Sequence, residues 1–194
     1  MPKRIGLLGG SFDPPHNGHL LAADDAFDAL ALDRLVFVPT ATQPLKAGQM
    51  VASAEHRLAM VRALAGGDAR FDVSAIEIDR GGLSYTVDTL TALSTKWPKA
   101  ELFWLIGADV VESFAKWREP ARIAELATIV VLRRTGNGAA PSLAALPGAP
   151  RLLASRCVDV SSTEIRERVR VGKSIRGFVP DAVAEVIAAE RLYR

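Results

Sequence analysis

Arg4-Ile5-Gly6-Leu7-Leu8-Gly9-Gly10-Ser11-Phe12-Asp13-Pro14-Pro15-His16-Asn17-Gly18-His19 is the stretch on which the fold turns. Its first half is a short apolar run that stops at paired glycines, the pattern of a buried strand entering a tight turn. From Gly18 the period changes. Leu20, Ala23, Phe27 and Leu30 recur at spacings of three and four, with Asp24, Asp25 and Asp28 between them. That is an amphipathic helix. A strand that turns directly into a helix is half of a βα unit, and the rest of the chain repeats the alternation.

Leu35–Val38 reads as a second strand, stopped by Pro39, with a loop over 40–52. Ser53 caps a helix to about Leu64, with Leu58, Val61 and Leu64 inward, and Gly66-Gly67 end it. Phe71–Ile78 alternates as a strand. Ser84 or Thr86 caps a helix that runs to Trp97 and stops at Pro98. Leu102–Ile106 and Thr128–Leu132 are buried strands, and Val158–Val160 is a short one. Ser161 opens a helix with Glu164 at capping-box spacing, and Pro180 opens the last helix, with Val183, Val186 and Ile187 inward. The Gly, Ala and Pro of 135–150 mark a flexible insertion. The expectation is one α/β domain over 1–194, an open parallel sheet with helices on both faces. Such sheets take ligands at the carboxyl ends of their strands, here just after Leu8, Val38, Ile106 and Val160.

Composition removes several classes. Hydrophobic residues make up 49% and charged residues 24%, close to the globular average. The one cysteine, Cys157, allows no intrachain disulfide and no Cys-rich metal cage. The first apolar run ends at Gly9, too short for a signal peptide, and no run reaches the ~18 apolar residues of a membrane span. A cytoplasmic protein with no membrane partner is expected. A net charge of +2 is too weak to argue for duplex nucleic acid, and no nucleic-acid partner is expected. Arg166, Arg168, Arg170, Lys173 and Arg176 nevertheless cluster, either as a small-polyanion patch or as a solvated helix face.

His16 and His19, two of the chain's three histidines, lie three residues apart at a helix start, so both imidazoles face one side of its first turn. Gly9 and Gly10 let a ligand approach the backbone, Gly18 leaves room beside the rings, and the helix N-terminus adds free N–H groups. Phosphate suits these features. A metal held by the pair and Asp13 is the weaker reading, because no further ligand lies nearby. Gly172-Lys173-Ser174 mimics the end of a P-loop, but Glu167 stands where that loop needs glycine.

Gly9 to His19 resembles the long form of the H-x-G-H signature, Gly-Gly-Ser-Phe-Asp-Pro-x-His-x-Gly-His, of the nucleotidyltransferase superfamily. Ser161-Ser162-Thr163-Glu164-Ile165-Arg166 is similar to its I-S-S-T-x-x-R element, with Val160 at the first position. Leu83-Ser84-Tyr85-Thr86-Val87-Asp88-Thr89-Leu90 resembles the S-Y-T-V-D-T-L segment of bacterial nicotinate-nucleotide adenylyltransferases. Leu105-Ile106-Gly107-Ala108-Asp109 with Phe114 and Trp117 resembles their L-I-G-A-D…F…W stretch, and Pro44-Leu45-Lys46 their Pro-rich segment ending in a basic residue. The resemblance covers about residues 3–193. It departs at Arg118, where many members have tyrosine, and at Thr135, where many have proline.

The resemblance implies a Rossmann-like sheet, a C-terminal helical phosphate-binding part over 161–194, and adenylyl transfer from ATP to nicotinate mononucleotide, giving deamido-NAD and pyrophosphate. It assigns catalysis to His16, His19 and Arg166. It assigns ATP to Gly9, Gly10, Ser11, Phe12, Gly18, His19, Gly107, Asp109, Ser162, Thr163 and Arg166. It assigns the mononucleotide to Lys46, Ser84, Tyr85, Thr86, Asp109 and Trp117. Beside a triphosphate the charged, donating imidazolium is favoured. Mg²⁺ would come with ATP, held mainly by phosphate oxygens rather than protein side chains. A homo-oligomer is compatible with the sequence and not specified by it. Phosphopantetheine or nicotinamide mononucleotide as acceptor, a silent nucleotide sensor and an RNA-binding module are the competing readings. His16, Trp117 and 84–90 argue against the first, both histidines with Arg166 against the sensor, and the weak net charge against RNA.

Overall fold

The computed structural model describes residues 3–44, 50–134, 141–156 and 158–194, except the side chain of Arg134. The alternation becomes β1 (Arg4–Gly10), α1 (Asn17–Ala29), β2 (Arg34–Pro39), α2 (Ala54–Ala65), β3 (Phe71–Val73), α3 (Ile76–Arg80) and α4 (Thr86–Lys96). Then follow β4 (Glu101–Gly107), a 3₁₀ segment (Ala108–Lys116), α5 (Pro120–Leu126), β5 (Thr128–Arg134), β6 (Arg151–Ser155), α6 (Ser162–Arg170) and α7 (Asp181–Ala189). The six strands form one sheet in the order β3-β2-β1-β4-β5-β6, and every pairing is parallel. The chain leaves β1 in one direction for β2 and later returns to its other side as β4, so the order reverses between β1 and β4. At such a switch point the flanking connections diverge and leave a crevice above the strand ends.

Both faces of the sheet are buried at its centre, so the inner strands β1, β2, β4 and β5 are apolar along their middles rather than alternating with polar residues. Leu8, Phe37, Leu105 and Val130 face one core, closed by Ala23 of α1, Met60 and Val61 of α2, Ile165 of α6 and Ile187 of α7. Leu7, Val36, Trp104 and Ile129 face the other, closed by Leu90 and Leu93 of α4, Phe114 and Ile123. Among the described residues no helix is long and apolar enough to cross a membrane.

Three expectations need correction. The strand expected over Phe71–Ile78 ends at Val73, and Ile76–Arg80 is helix. Its partner β2 runs out at Pro39, which has no N–H to extend the ladder. Val158–Val160 is not a strand, because the Val160 N–H bonds to the Val158 carbonyl at 2.9 Å, a three-residue turn that extended backbone cannot make. The last strand is instead β6, which begins immediately after the expected flexible insertion. Of that insertion, 135–140 lie outside the described residues, whereas 141–150 hold a 3₁₀ turn at Leu143–Ala145 and bury Leu146 in the second core.

Candidate active site

A cleft of about 1080 Å³ opens at the carboxyl ends of the strands. Its walls contain every expected site residue except Lys46, which lies outside the described residues. His16 and His19 start α1 with ring centroids 3.8 Å apart. They are not equivalent: His16 is buried, whereas His19 is half-exposed to the cleft. The His16 N–H donates to His19 Nδ1 at 3.2 Å. A backbone N–H can only donate, so Nδ1 carries no proton and Nε2 is the ring's donor. His19 therefore offers a hydrogen bond even when neutral, and the imidazolium expected beside a triphosphate is not required for donation.

The loop before the histidines is built to hold them. A Cβ at residue 9 would meet the Trp104 ring at 2.7 Å, so Gly9 serves packing of the turn against β4 rather than ligand approach alone. A Cβ at residue 18 would meet His16 Nδ1 at 3.0 Å, which confirms the need for room there. Phe12 has φ of 51° and is buried, with its ring edge-on to His19 at 5.0 Å and to Phe37 at 6.0 Å. Its side chain belongs to the first core. Asp13 has a structural role, since its carboxylate accepts the N–H of Val51 at 2.7 Å and of Ala52 at 3.2 Å. Among the described residues no three His, Cys, Asp or Glu side chains are grouped as a metal cage.

The α6 N-terminus packs directly against this loop at the same end of the cleft. Ser161 caps the helix by accepting the Glu164 N–H at 3.1 Å. Ser162 spends its hydroxyl hydrogen on the Pro14 carbonyl at 2.8 Å, so it stitches α6 to the loop and has only lone pairs and its N–H left for a phosphate. Arg166 donates to the Asp13 carbonyl at 2.7 Å and to Thr163 Oγ1 at 3.2 Å. The imidazole pair and this guanidinium thus share one cavity. The rest of the basic cluster does not enter it: Arg168 stacks on Phe178 at 4.4 Å and Arg170 pairs with Glu167 at 2.7 Å. For those residues the solvated-face reading holds.

The far wall comes from Ser84–Thr86 and Trp117. Neither Ser84 nor Thr86 caps α4. Tyr85 is the capping position, and the Ser84 hydroxyl instead accepts the Ala41 N–H at 2.9 Å. Trp117 ends the 3₁₀ segment and stacks on Phe114 with centroids 4.7 Å apart. Arg118, the departure from the family pattern, lies 5.0 Å over the Tyr85 ring and 3.5 Å from the Asp88 carboxylate. It braces this wall and itself lines the cleft. Exposed Asp109 folds its carboxylate over Gly107, where a Cβ would collide with it.

Sequence reasoning passed over two buried charges. Arg57 is 1% exposed and bonds three carbonyls, Ser11 at 2.8 Å, Ala41 at 2.9 Å and Ala52 at 3.3 Å. Burial pulls its pKa down, while Asp13 pushes back. It clamps the loops after β1 and β2 together. The signal was available, because Arg57 shares the helical stripe of Met60, Val61 and Leu64. Glu77 is 2% exposed, lines the cleft and accepts the Thr89 hydroxyl at 2.6 Å. Burial pushes its carboxyl up, against the Thr89 and Ser84 hydroxyls and the Arg80 charge.

Comparison with known proteins shows the family. Residues 7–168 match the model of the cytidylyltransferase-like family. A protein of Gemmatimonas aurantiaca named "Probable nicotinate-nucleotide adenylyltransferase" is 51% identical over 98% of this chain and 92% of its own. The chain belongs to the nicotinate-nucleotide adenylyltransferase family. A family member of the same name from Thermus thermophilus is 46% identical over 98% of this chain and 100% of its own. Among solved structures, the nicotinic acid mononucleotide adenylyltransferase of Plasmodium falciparum complexed with NaAD superposes with a TM-score of 0.81 at 18% identity. It covers 98% of this chain and 97% of that one. At that identity the likeness establishes the Rossmann-like nucleotidyltransferase fold.

Proposed function

We propose that the chain is an enzyme of NAD biosynthesis that transfers the adenylyl group of ATP to nicotinate mononucleotide. The observation that carries this reading is the convergence on one cleft of His16, His19, Thr163 and Arg166 at one end and Ser84–Thr86 with Trp117 at the other. The cleft's volume of about 1080 Å³ is at the upper end of the roughly 300 to 1,000 Å³ of small-molecule sites.

A phosphate oxygen of the mononucleotide attacks the α-phosphorus of ATP, the bond to the β-phosphate oxygen breaks, and pyrophosphate leaves. The second pKa of a phosphate monoester is about 6, so the nucleophile is already ionised and no general base is needed. The protein's work is to hold two anions in line and stabilise the charge that develops. The Nε2 donor of His19 serves the α-phosphate, with His16 packed against its ring. Arg166 and Thr163 at the α6 N-terminus serve the β- and γ-phosphates. Trp117 gives the pyridine a stacking face, and N–H groups near Thr86 take the nicotinate carboxylate. Mg²⁺ would be brought by ATP and held mainly by the nucleotide rather than by protein side chains, and it would supply neutralisation of phosphate charge.

The test is pyrophosphate release from ATP with nicotinate mononucleotide, nicotinamide mononucleotide and phosphopantetheine offered separately. Fastest turnover with nicotinate mononucleotide is expected. Preference for phosphopantetheine, or activity with neither mononucleotide, overturns the reading.

A further inference from the structure

Tyr193 is a buried phenol that the chemistry above does not use. It follows α7, is 8% exposed, and donates its hydroxyl to Asp13 Oδ1 at 2.7 Å. Asp13 joins everything around it. Its carboxylate also takes the Val51 and Ala52 N–H groups, and its carbonyl takes Arg166 Nη1 at 2.7 Å. Arg57 holds the neighbouring Ser11 carbonyl from beneath.

The segment carrying Tyr193 is held firmly enough to position something. Arg191 and Tyr193 both have left-handed backbones, with φ of 53° and 63°, a conformation that non-glycine residues keep only where their surroundings impose it. Here the Leu192 N–H bonds to the Ile187 carbonyl at 3.0 Å, Leu192 packs on the first core, and Glu190 lies 3.6 Å from His56 of α2. The opposite wall of the cleft, Ser84–Thr86 and Trp117, bonds to neither Tyr193 nor Asp13 among the described contacts.

We propose that Tyr193 is a positioning residue for adenylyl transfer, acting through Asp13 to fix the Ser11–His16 loop and the Arg166 guanidinium at the ATP end of the cleft. The proposal rests on the reading that this end takes ATP. Removing the phenol hydroxyl leaves Asp13 with its backbone donors only, and the loop and Arg166 lose their common anchor. The effect falls on one substrate and not on the other.

Tyr193→Phe keeps the ring and removes the donor. Binding of a non-hydrolysable ATP analogue and of nicotinate mononucleotide is measured separately by calorimetry, well below the melting temperature, beside kcat. Analogue affinity is expected to fall about tenfold, the worth of one hydrogen bond to a charged group, with kcat falling and mononucleotide affinity unchanged. Unchanged analogue affinity with normal kcat, or equal weakening of both ligands, overturns the proposal. Arg166→Ala separates the two levels of inference. If it weakens the analogue while Tyr193→Phe does not, the positioning role alone fails. If it leaves analogue binding intact, the ATP placement fails and takes the proposal with it. Should Tyr193→Phe not fold, 3-fluorotyrosine at this position gives a stronger donor on the same ring. Tighter analogue binding then supports the link, and unchanged binding overturns it.

Discussion

His19 carries the proposed chemistry because its surroundings fix both the place and the tautomer of its ring. Nδ1 accepts the His16 N–H, and the ring is flanked by Phe12 and His16 where it lines the cleft. A donor fixed this way costs no reorganisation when charge develops on the α-phosphate. His19→Ala is therefore expected to lower kcat by roughly 10²–10³, the scale for losing one such donor, with a smaller change in KM. Pyrophosphate release under saturating substrates checks it, and near-normal kcat removes His19 from the mechanism. The histidines were legible in the sequence because their function depends on local spacing at a helix start. Tyr193 was not, since its partner lies 180 residues away and a tyrosine near a helix end carries no pattern of its own. Arg57 lies between these cases: a charge on an apolar stripe is visible, but its three carbonyl partners are not.

The elements were legible where their period was strong. β1, β2, β4 and β5 fill both cores and announce themselves as apolar runs. β6 is an edge strand of sequence Arg151-Leu152-Leu153-Ala154-Ser155, with Leu152 left 41% exposed and no β-branched residue to mark it. Val158–Val160 carries that β-branched signal and turns instead. The α3 helix was misread because Ile76 and Ile78 flanking Glu77 imitate alternation, while the structure buries the carboxyl itself. That burial has a measurable consequence. Glu77 has a folded-state pKa above its ordinary 4.5, so the folded chain retains this proton longer than the unfolded chain. Its contribution to stability is complete below pH 4.5 and is lost as pH rises through the folded value. Glu77→Gln removes the titration. Melting temperatures across this range should show the variant gaining on the parent as pH rises, and a constant difference from acid to neutral pH would exclude the buried titration.

In the molecule as a whole, the reversal of strand order between β1 and β4 gives both nucleotides a common floor, while the walls are supplied by unrelated parts of the chain. The α1 start and α6 form one end. The segment before α4 and the end of the 3₁₀ stretch form the other. The folded state alone holds these parts together, so each ligand should stabilise it. At a hundredfold excess over Kd a ligand adds about 2.7 kcal/mol, which for a chain of this length raises Tm by about 5–10 °C. The ATP analogue and nicotinate mononucleotide should each produce such a shift alone. Together they should exceed either, because both occupy one cleft without excluding each other. Trp117→Ala should abolish most of the mononucleotide shift and leave the ATP-analogue shift in place. His19→Ala, at the other end, should reduce the ATP-analogue shift. If Trp117→Ala removes both shifts equally, the two walls do not act as separate subsites and the division of the cleft proposed here is wrong.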